Sequence, residues 1–265
     1  MSLSGKITII GGGNMGSAIA KGIVASGLAG AQQITITRRT ASALEPLAAA
    51  GFRTTSDNNA AVADADIIIF AVKPYLILDV IADVKSSIPA GSLVISVATG
   101  ISLAQLTVAL GDKQAIVRAM PNTAAEVRQS VTALCLHNVS NAQRAVAEEI
   151  FSQMGLSVVV DEQLMPAITA LASCGIAHAL RFIRAAMEAG IEMGLTSKQS
   201  AEIAAQTVKG AAELILVNGS HPEVEIDKVC TPKGVTITGI NDMEHAGFTS
   251  AVIKGIMGSY NKIVK

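Results

Sequence analysis

Ile7-Thr8-Ile9-Ile10-Gly11-Gly12-Gly13-Asn14-Met15-Gly16 is the stretch that decides the fold class. Ile7–Ile10 is a β-branched run of strand length, and Met15–Ser26 beyond the glycines carries the apolar spacing of a helix. A strand that turns on Gly-x-Gly-x-x-Gly into a helix is the first half of a βαβ unit that holds a dinucleotide. Gly11 permits the tight turn, Gly13 lets the backbone approach a pyrophosphate, and Gly16 lets the helix pack close to the strand. The amides at the helix N-terminus, around Asn14 and Met15, then face the phosphates.

Working outward, short β-branched runs alternate with helical stretches as far as residue 160. Expected strands are Ile7–Ile10, Ile34–Thr37, Ile67–Val72, Leu93–Val97, Ala115–Arg118, Val131–Leu136 and Ser157–Val160. Unbroken apolar runs such as Ile67-Ile68-Ile69-Phe70 suit strands buried on both faces of a parallel sheet. Helices are expected at Met15–Ser26, Ala41–Ala50, Pro74–Ser86, Leu103–Leu110 and Asn141–Met154. Beyond Glu162 the alternation stops. Leu164–Met193 reads as one long Ala-rich helix and Lys198–Val217 as a second, with Ser197 as its N-cap. A short helix, a loop at Cys230–Thr236 and two further helices ending near Tyr260 follow. The pattern predicts an α/β fold, with a Rossmann-type doubly wound sheet (residues 1–162) followed by an all-helical domain (residues 163–265).

Composition narrows the partners. Of 265 residues half are hydrophobic and 15% are charged, and the net charge of −1 gives no electrostatic reason to expect nucleic acid or an anionic membrane. Mean hydropathy is +0.48, yet no unbroken apolar run reaches the roughly 18 residues of a membrane span, so no membrane partner is expected. The three cysteines, Cys135, Cys174 and Cys230, are widely separated and odd in number, which suits a reducing cytoplasm. Cys174 and Cys230 read as small fillers rather than nucleophiles. His137, His221 and His245 share no metal-ligand spacing, and no metal is expected. Few aromatics and many small residues point to close-packed helices and to apolar surface shared between subunits.

The end of the second strand identifies the cofactor. A site for NAD places a carboxylate there to meet the ribose 2′-hydroxyl. This chain has Thr37-Arg38-Arg39-Thr40 instead, and guanidiniums suit a 2′-phosphate that a carboxylate would repel. NADP(H) is expected, with NAD(H) used more weakly.

Several segments taken together resemble pyrroline-5-carboxylate reductase, the family that reduces a cyclic imine to proline. They are Gly11–Gly16, Ala71-Val72-Lys73-Pro74, Arg118-Ala119-Met120-Pro121-Asn122-Thr123, Met193-Gly194-Leu195 and Cys230-Thr231-Pro232-Lys233-Gly234-Val235-Thr236. The resemblance implies NADPH-dependent reduction of 1-pyrroline-5-carboxylate to L-proline by a homodimer that assembles into a larger ring. It implies that Ala71, Val72, Lys73 and Pro74, with Val97, Ala98 and Thr99, border the cofactor. Asn58 would sit at the adenosine end, and Asn122 and Thr123 near the nicotinamide. Gly234, Val235 and Thr236 would hold the substrate carboxylate through backbone amides, Thr236 would reach the ring nitrogen, and Glu162 would lie near the imino acid.

Where the family usually carries Ser-Gly-Ser-Gly-Pro-Ala-Tyr, this chain has Ala172-Ser173-Cys174-Gly175-Ile176-Ala177-His178. The family's Gly-Gly-Thr-Thr loop has become Lys233-Gly234-Val235-Thr236, and Lys233 brings a cation to the expected carboxylate site. A cyclic imine is partly protonated near neutral pH, so positioning can serve where no strong acid is present. Two rivals remain at this level. A β-hydroxyacid-type dehydrogenase needs a helix lysine to handle a hydroxyl proton, and Ala172–Glu188 contains Arg181 and Arg184 but no lysine. A catalytically silent dinucleotide-binding paralogue is the other.

Overall fold

Among the residues described by the computed structural model, Leu3 and residues 5–264, eight strands form a single sheet. They are β1 (Ile7–Ile10), β2 (Ile34–Thr37), β3 (Arg53–Thr55), β4 (Ile67–Phe70), β5 (Leu93–Ser96), β6 (Ala115–Met120), β7 (Ser130–His137) and β8 (Gly155–Val159). Their order is β3-β2-β1-β4-β5-β6-β7-β8. All neighbours from β3 across to β6 are parallel. β7 is antiparallel to β6 and β8 is parallel to β7, so the last two strands run against the rest. The order reverses between β1 and β4, and ligands of such sheets bind beyond the strand ends at that reversal.

The buried strands alternate faces with a period of two. Ile7, Ile9, Ile34, Ile36, Ile69 and Ile95 pack on one side with Ile19 and Ile23 of α1 (Asn14–Ala25). Ile10, Ile68, Phe70 and Val94 face the other side, against Val62, Ile77, Ile81 and Leu106. Each of these side chains removes about 1.5–3 kcal/mol worth of apolar surface from water, which is why β1, β4 and β5 are uniformly buried.

Two helices packed on the sheet are shorter than their patterns suggest, while α5 (Leu103–Leu110) has the expected bounds. The expected Ala41–Ala50 helix is a 3₁₀ turn (Ala41–Leu44) followed by α2 (Glu45–Ala49). The expected Pro74–Ser86 helix is α4 (Ile77–Val84) between two 3₁₀ turns. Between them lies α3 (Asn58–Val62), capped by Asp57; neither it nor β3 is marked by the hydrophobic pattern. α5 (Leu103–Leu110) and α6 (Asn141–Ser152) follow, each opened by a serine capping box.

The expected helix Leu164–Met193 is interrupted. A 3₁₀ turn (Glu162–Leu164) leads into α7 (Met165–Ile168), then a π-helical segment (Thr169–Ser173), then α8 (Cys174–Glu192). The chain divides into two compact units at the end of the π segment, Met1–Ser173 and Cys174–Lys265.

The second unit is helical, with α8, α9 (Ser197–Asn218), α10 (Pro222–Val229), α11 (Val235–His245) and α12 (Phe248–Val264). Thr196, not Ser197, caps α9, because its hydroxyl accepts from the Gln199 amide while Gln199 reaches back to the Thr196 amide. α8 meets α9 closely at Gly190, where a Cβ would stand 2.6 Å from Ser200 Oγ. Phe182 meets Phe248 edge-on at 6.2 Å. Much apolar surface faces outward, including Leu180, Ile203, Leu216, Val217 and Ile253. The helical run Glu162–Glu192 is long and apolar enough by composition to cross a membrane, and 6% of its richest window is buried within this chain. Gln163, Pro166, Thr169, Ser173 and His178 punctuate it, so it contains no unbroken apolar run of spanning length.

Cys135 on β7 packs with Met120, Ala133 and Met165 and is buried. Burial pushes its thiol from an ordinary value of 9.0 up to about 11; the facing Arg118 guanidinium opposes the shift and the Glu162 carboxylate adds to it. The folded state therefore holds this proton longer than the unfolded chain, so its contribution is intact below pH 9.0 and is lost as pH rises towards about 11. In urea unfolding between pH 8 and 11, wild type loses stability more steeply than Cys135→Ala. Parallel curves for the two proteins would refute this assignment.

Candidate active site

The glycine turn at the end of β1 is dictated by contact distances. Gly11 adopts φ +110°, and a Cβ there would lie 2.5 Å from the Ala71 carbonyl oxygen. A Cβ on Gly16 would lie 2.1 Å from the Gly11 carbonyl oxygen. No side chain fits at either place. Gly13 differs, since a Cβ there would meet nothing within 4 Å. Its half-buried backbone opens onto a cavity of about 750 Å³ lined by Gly12, Gly13, Asn14, Met15, Arg38 and Thr123, among others.

Helix capping bears on the same place; α2, α4 and α7 have no side-chain cap, but each continues directly from a 3₁₀ turn. α3, α5, α6, α9 and α10 each begin on a side chain that accepts a backbone amide. α1 begins on Gly13, with no side-chain cap and no acidic residue in its first turn. Its orphan amides and the positive end of its dipole are left for an anion. The residues present thus fit a dinucleotide phosphate.

Most of the expected cofactor residues fall into three groups, with Arg39, Asn58 and Asn122 outside them. Gly13, Asn14, Met15, Arg38 and Thr123 line the cavity. Gly11 and Gly16 shape the turn without lining it. Ala71–Pro74 follow β4 and Val97–Thr99 follow β5, at the same edge as Gly11; Ala71 N–H donates to Ile10 O and Val97 N–H to Phe70 O. Asn58 is drawn to the end of β2 by the Thr37 hydroxyl, 2.6 Å from its Oδ1. Arg38 reaches back to donate to Gly12 O at 3.3 Å, whereas Arg39 is not among the lining residues. Lys73 is exposed and opens the 3₁₀ turn after β4. Ser17 and Lys21 also line the cavity; the helical spacing from Gly13 is the signal that points to them.

Glu162 is engaged within its own unit. One oxygen accepts from Arg118 Nη1 at 2.5 Å and from Leu103 N at 2.7 Å, so it caps α5 and ties it to β6. Asn122 is buried, and its Oδ1 accepts from Ala124 N while its Nδ2 donates to Ala172 O.

In the second unit Gly234 caps α11 with no side chain to offer, again leaving amides free, at Val235 and Thr236. The preceding residues form a type II turn, with Gly234 N–H donating to Thr231 O at 2.8 Å and Lys233 at φ +61°.

A glycine-fingered doubly wound sheet with an arginine at the end of β2, joined to a helical unit, defines a dinucleotide-dependent oxidoreductase. Residues 162–265 match the family model for pyrroline-5-carboxylate reductase dimerisation. Residues 6–100 match the model for NADP oxidoreductase, coenzyme F420-dependent. A curated pyrroline-5-carboxylate reductase of Dictyostelium discoideum is 45% identical over 97% of this chain, which spans 49% of that relative's length. The reductase structure from Coxiella burnetii is 32% identical over 98% of both chains, with a TM-score of 0.93. The Plasmodium falciparum pyrroline carboxylate reductase with NADP bound is 26% identical over 99% of this chain and 98% of its own, with a TM-score of 0.86. The chain belongs to the pyrroline-5-carboxylate reductase family, and residues 162–265 are its dimerisation region.

The third position of the Thr231–Gly234 turn requires a positive φ, which suits glycine, and Lys233 holds it at a cost of about 1 kcal/mol. Substituting Lys233→Val should lower stability by about a further 1–2 kcal/mol, because a β-branched residue resists this conformation more strongly. Lys233→Gly should leave stability equal or higher. Urea denaturation ranks the three proteins, and a valine variant as stable as wild type would contradict the strained turn.

Proposed function

We propose that this chain reduces the C=N bond of 1-pyrroline-5-carboxylate to give L-proline, using NADPH in the cavity at the end of β1. The observation that carries the cofactor half is the uncapped N-terminus of α1 behind the open face of Gly13. The amides of Asn14 and Met15 bind the pyrophosphate. Arg38 rather than Arg39 meets the 2′-phosphate, supported by its place in the cavity lining; NAD(H), lacking that phosphate, binds more weakly. Asn58 serves the adenosine end. Ala71–Pro74, Val97–Thr99 and Thr123 border the remainder of the cofactor, and Asn122 supports Thr123.

The bound nicotinamide supplies hydride to the imine carbon. The ring nitrogen carries a proton acquired from solvent and becomes the secondary amine of proline. Gly234, Val235 and Thr236 hold the substrate carboxylate through the free amides of α11, and Lys233 adds a cation beside them. The Thr236 hydroxyl accepts from the protonated ring nitrogen and fixes the imine plane, which makes it the catalytic residue of this reading. Glu162 acts on the substrate side through its hold on Arg118 and α5. Residues 1–162 serve as the NADP(H)-binding domain and 163–265 as the dimerisation and substrate domain. The homodimer assembles into a larger ring in the cytoplasm, a compartment that suits the free thiols of Cys135, Cys174 and Cys230.

Steady-state kinetics with both cofactors tests the assignments. Arg38→Ala should raise KM for NADPH about tenfold or more and leave KM for NADH near wild type, as expected for losing one charge-assisted contact. Arg39→Ala should change neither as much. Thr236→Ala should lower kcat/KM for the imine about tenfold or more while NADPH affinity is retained. Unchanged turnover would remove Thr236 from the mechanism, and an equal loss with both cofactors would remove Arg38 from the 2′-phosphate.

A further inference from the structure

The feature that the reaction leaves unused is the π-helical segment Thr169–Ser173, which ends where the first unit ends. A π turn departs from regular helix bonding and persists only where something else holds it. One buried side chain from outside the segment bonds to it, that of Asn122, beside the segment's own Thr169 hydroxyl on Met165 O. Asn122 is 5% exposed, and its polar groups are all taken by the protein. Its N–H donates to the buried Ser130 hydroxyl at 3.1 Å, and its carbonyl accepts from Ala125 N at 3.2 Å. Its Oδ1 accepts from Ala124 N at 3.0 Å, capping the 3₁₀ turn Thr123–Val127, and its Nδ2 donates to Ala172 O in the π segment at 3.2 Å. Both ends of the side chain are thus engaged with the protein, with one amide N–H and one Oδ1 lone pair to spare.

The two ends of that side chain reach different structures. The 3₁₀ turn supplies Thr123, Ala125 and Glu126 to the lining of the large cavity. The π segment belongs to the region matched as the dimerisation segment. β6 grips the same helical run a second time, since Arg118 holds Glu162 at its start. Arg118 within β6 and Asn122 just past its end therefore bond to the run at its beginning and at its π turn.

We propose that Asn122 is a positioning residue that couples occupancy of the dinucleotide cavity to the π turn. A ligand that steadies the Thr123–Val127 wall steadies Asn122, whose amide then holds the Ala172 carbonyl and favours the π geometry leading into α8. By linkage, the same bond favours dinucleotide binding when the π turn is formed. The proposal rests on NADPH occupying the cavity at Gly13.

Asn122→Ser separates the two functions, because serine still caps the 3₁₀ turn but cannot reach Ala172. The experiment combines NADPH binding by fluorescence with amide hydrogen exchange at residues 169–173 and steady-state kinetics. In wild type, saturating NADPH should slow exchange there about fivefold or more, the lower end of ordinary coupling between sites. In Asn122→Ser that slowing should vanish, with kcat lowered and KM for the imine unchanged. A merely structural asparagine would lower the melting temperature and leave the NADPH-dependent slowing in place, which overturns the proposal. So does wild-type exchange that ignores bound NADPH, a result that stands even if the variant fails to fold. Asn122→Asp, an isostere that keeps the cap and loses the donor, must repeat the loss of slowing. Absence of NADPH binding to wild type would overturn the cofactor reading, and the coupling with it.

Discussion

Backbone pressed against backbone at the ends of β1 and β4 is the constraint on which the molecule depends. Gly11 stands so close to the Ala71 carbonyl, and Gly16 so close to Gly11, that any side chain would force the two strand ends apart. That closeness sets the angle at which α1 leaves the sheet. It also brings the segments after β4 and β5 up to the turn, and it directs the first amides of α1 into the cavity rather than into a loop of their own making. The isoleucine layers supply most of the stabilisation, but they would tolerate several helix angles. The glycine contacts allow one.

Capping shows how the chain distributes polar groups between stability and binding. At α3, α5, α6, α9 and α10 serine, threonine, aspartate or histidine closes the first turn. At α1 and α11 glycine takes the cap position and the amides stay unspent. A glycine in that place costs a helix only about a few tenths of a kcal/mol relative to a hydroxyl or carboxylate cap, so leaving the amides open is cheap. Lys233 adds a second local cost ahead of α11, holding a turn conformation better suited to glycine.

The parts of this fold legible in the sequence are those with strong burial. β1, β4 and β5 read clearly because both faces are covered and every residue is apolar. β3 is an edge strand of Arg53, Thr54 and Thr55 with no buried residue, so its letters carry no strand signal. α3 is five residues long and its cap is its main mark. The π segment is spelled in helix-forming letters, and only the Asn122 contact, distant in sequence, reveals it. For the same reason nothing in the sequence marks Glu162 as the partner of Arg118 and of the first amide of α5. Arg38 and Arg39 are equivalent as letters, and geometry separates them, since only Arg38 lines the cavity. The turn glycines are legible because strand and helix bracket them.

The outward-facing leucines, isoleucines and valines of the helical unit carry a thermodynamic consequence. Surface of that kind is completed by another protein surface, and the region that bears it is a dimerisation region. Folding and association then share one equilibrium, so the chain has no single melting temperature; its midpoint climbs with the logarithm of its own concentration. Dilution acts on such a protein as a denaturant, and its abundance in the cell sets part of its stability.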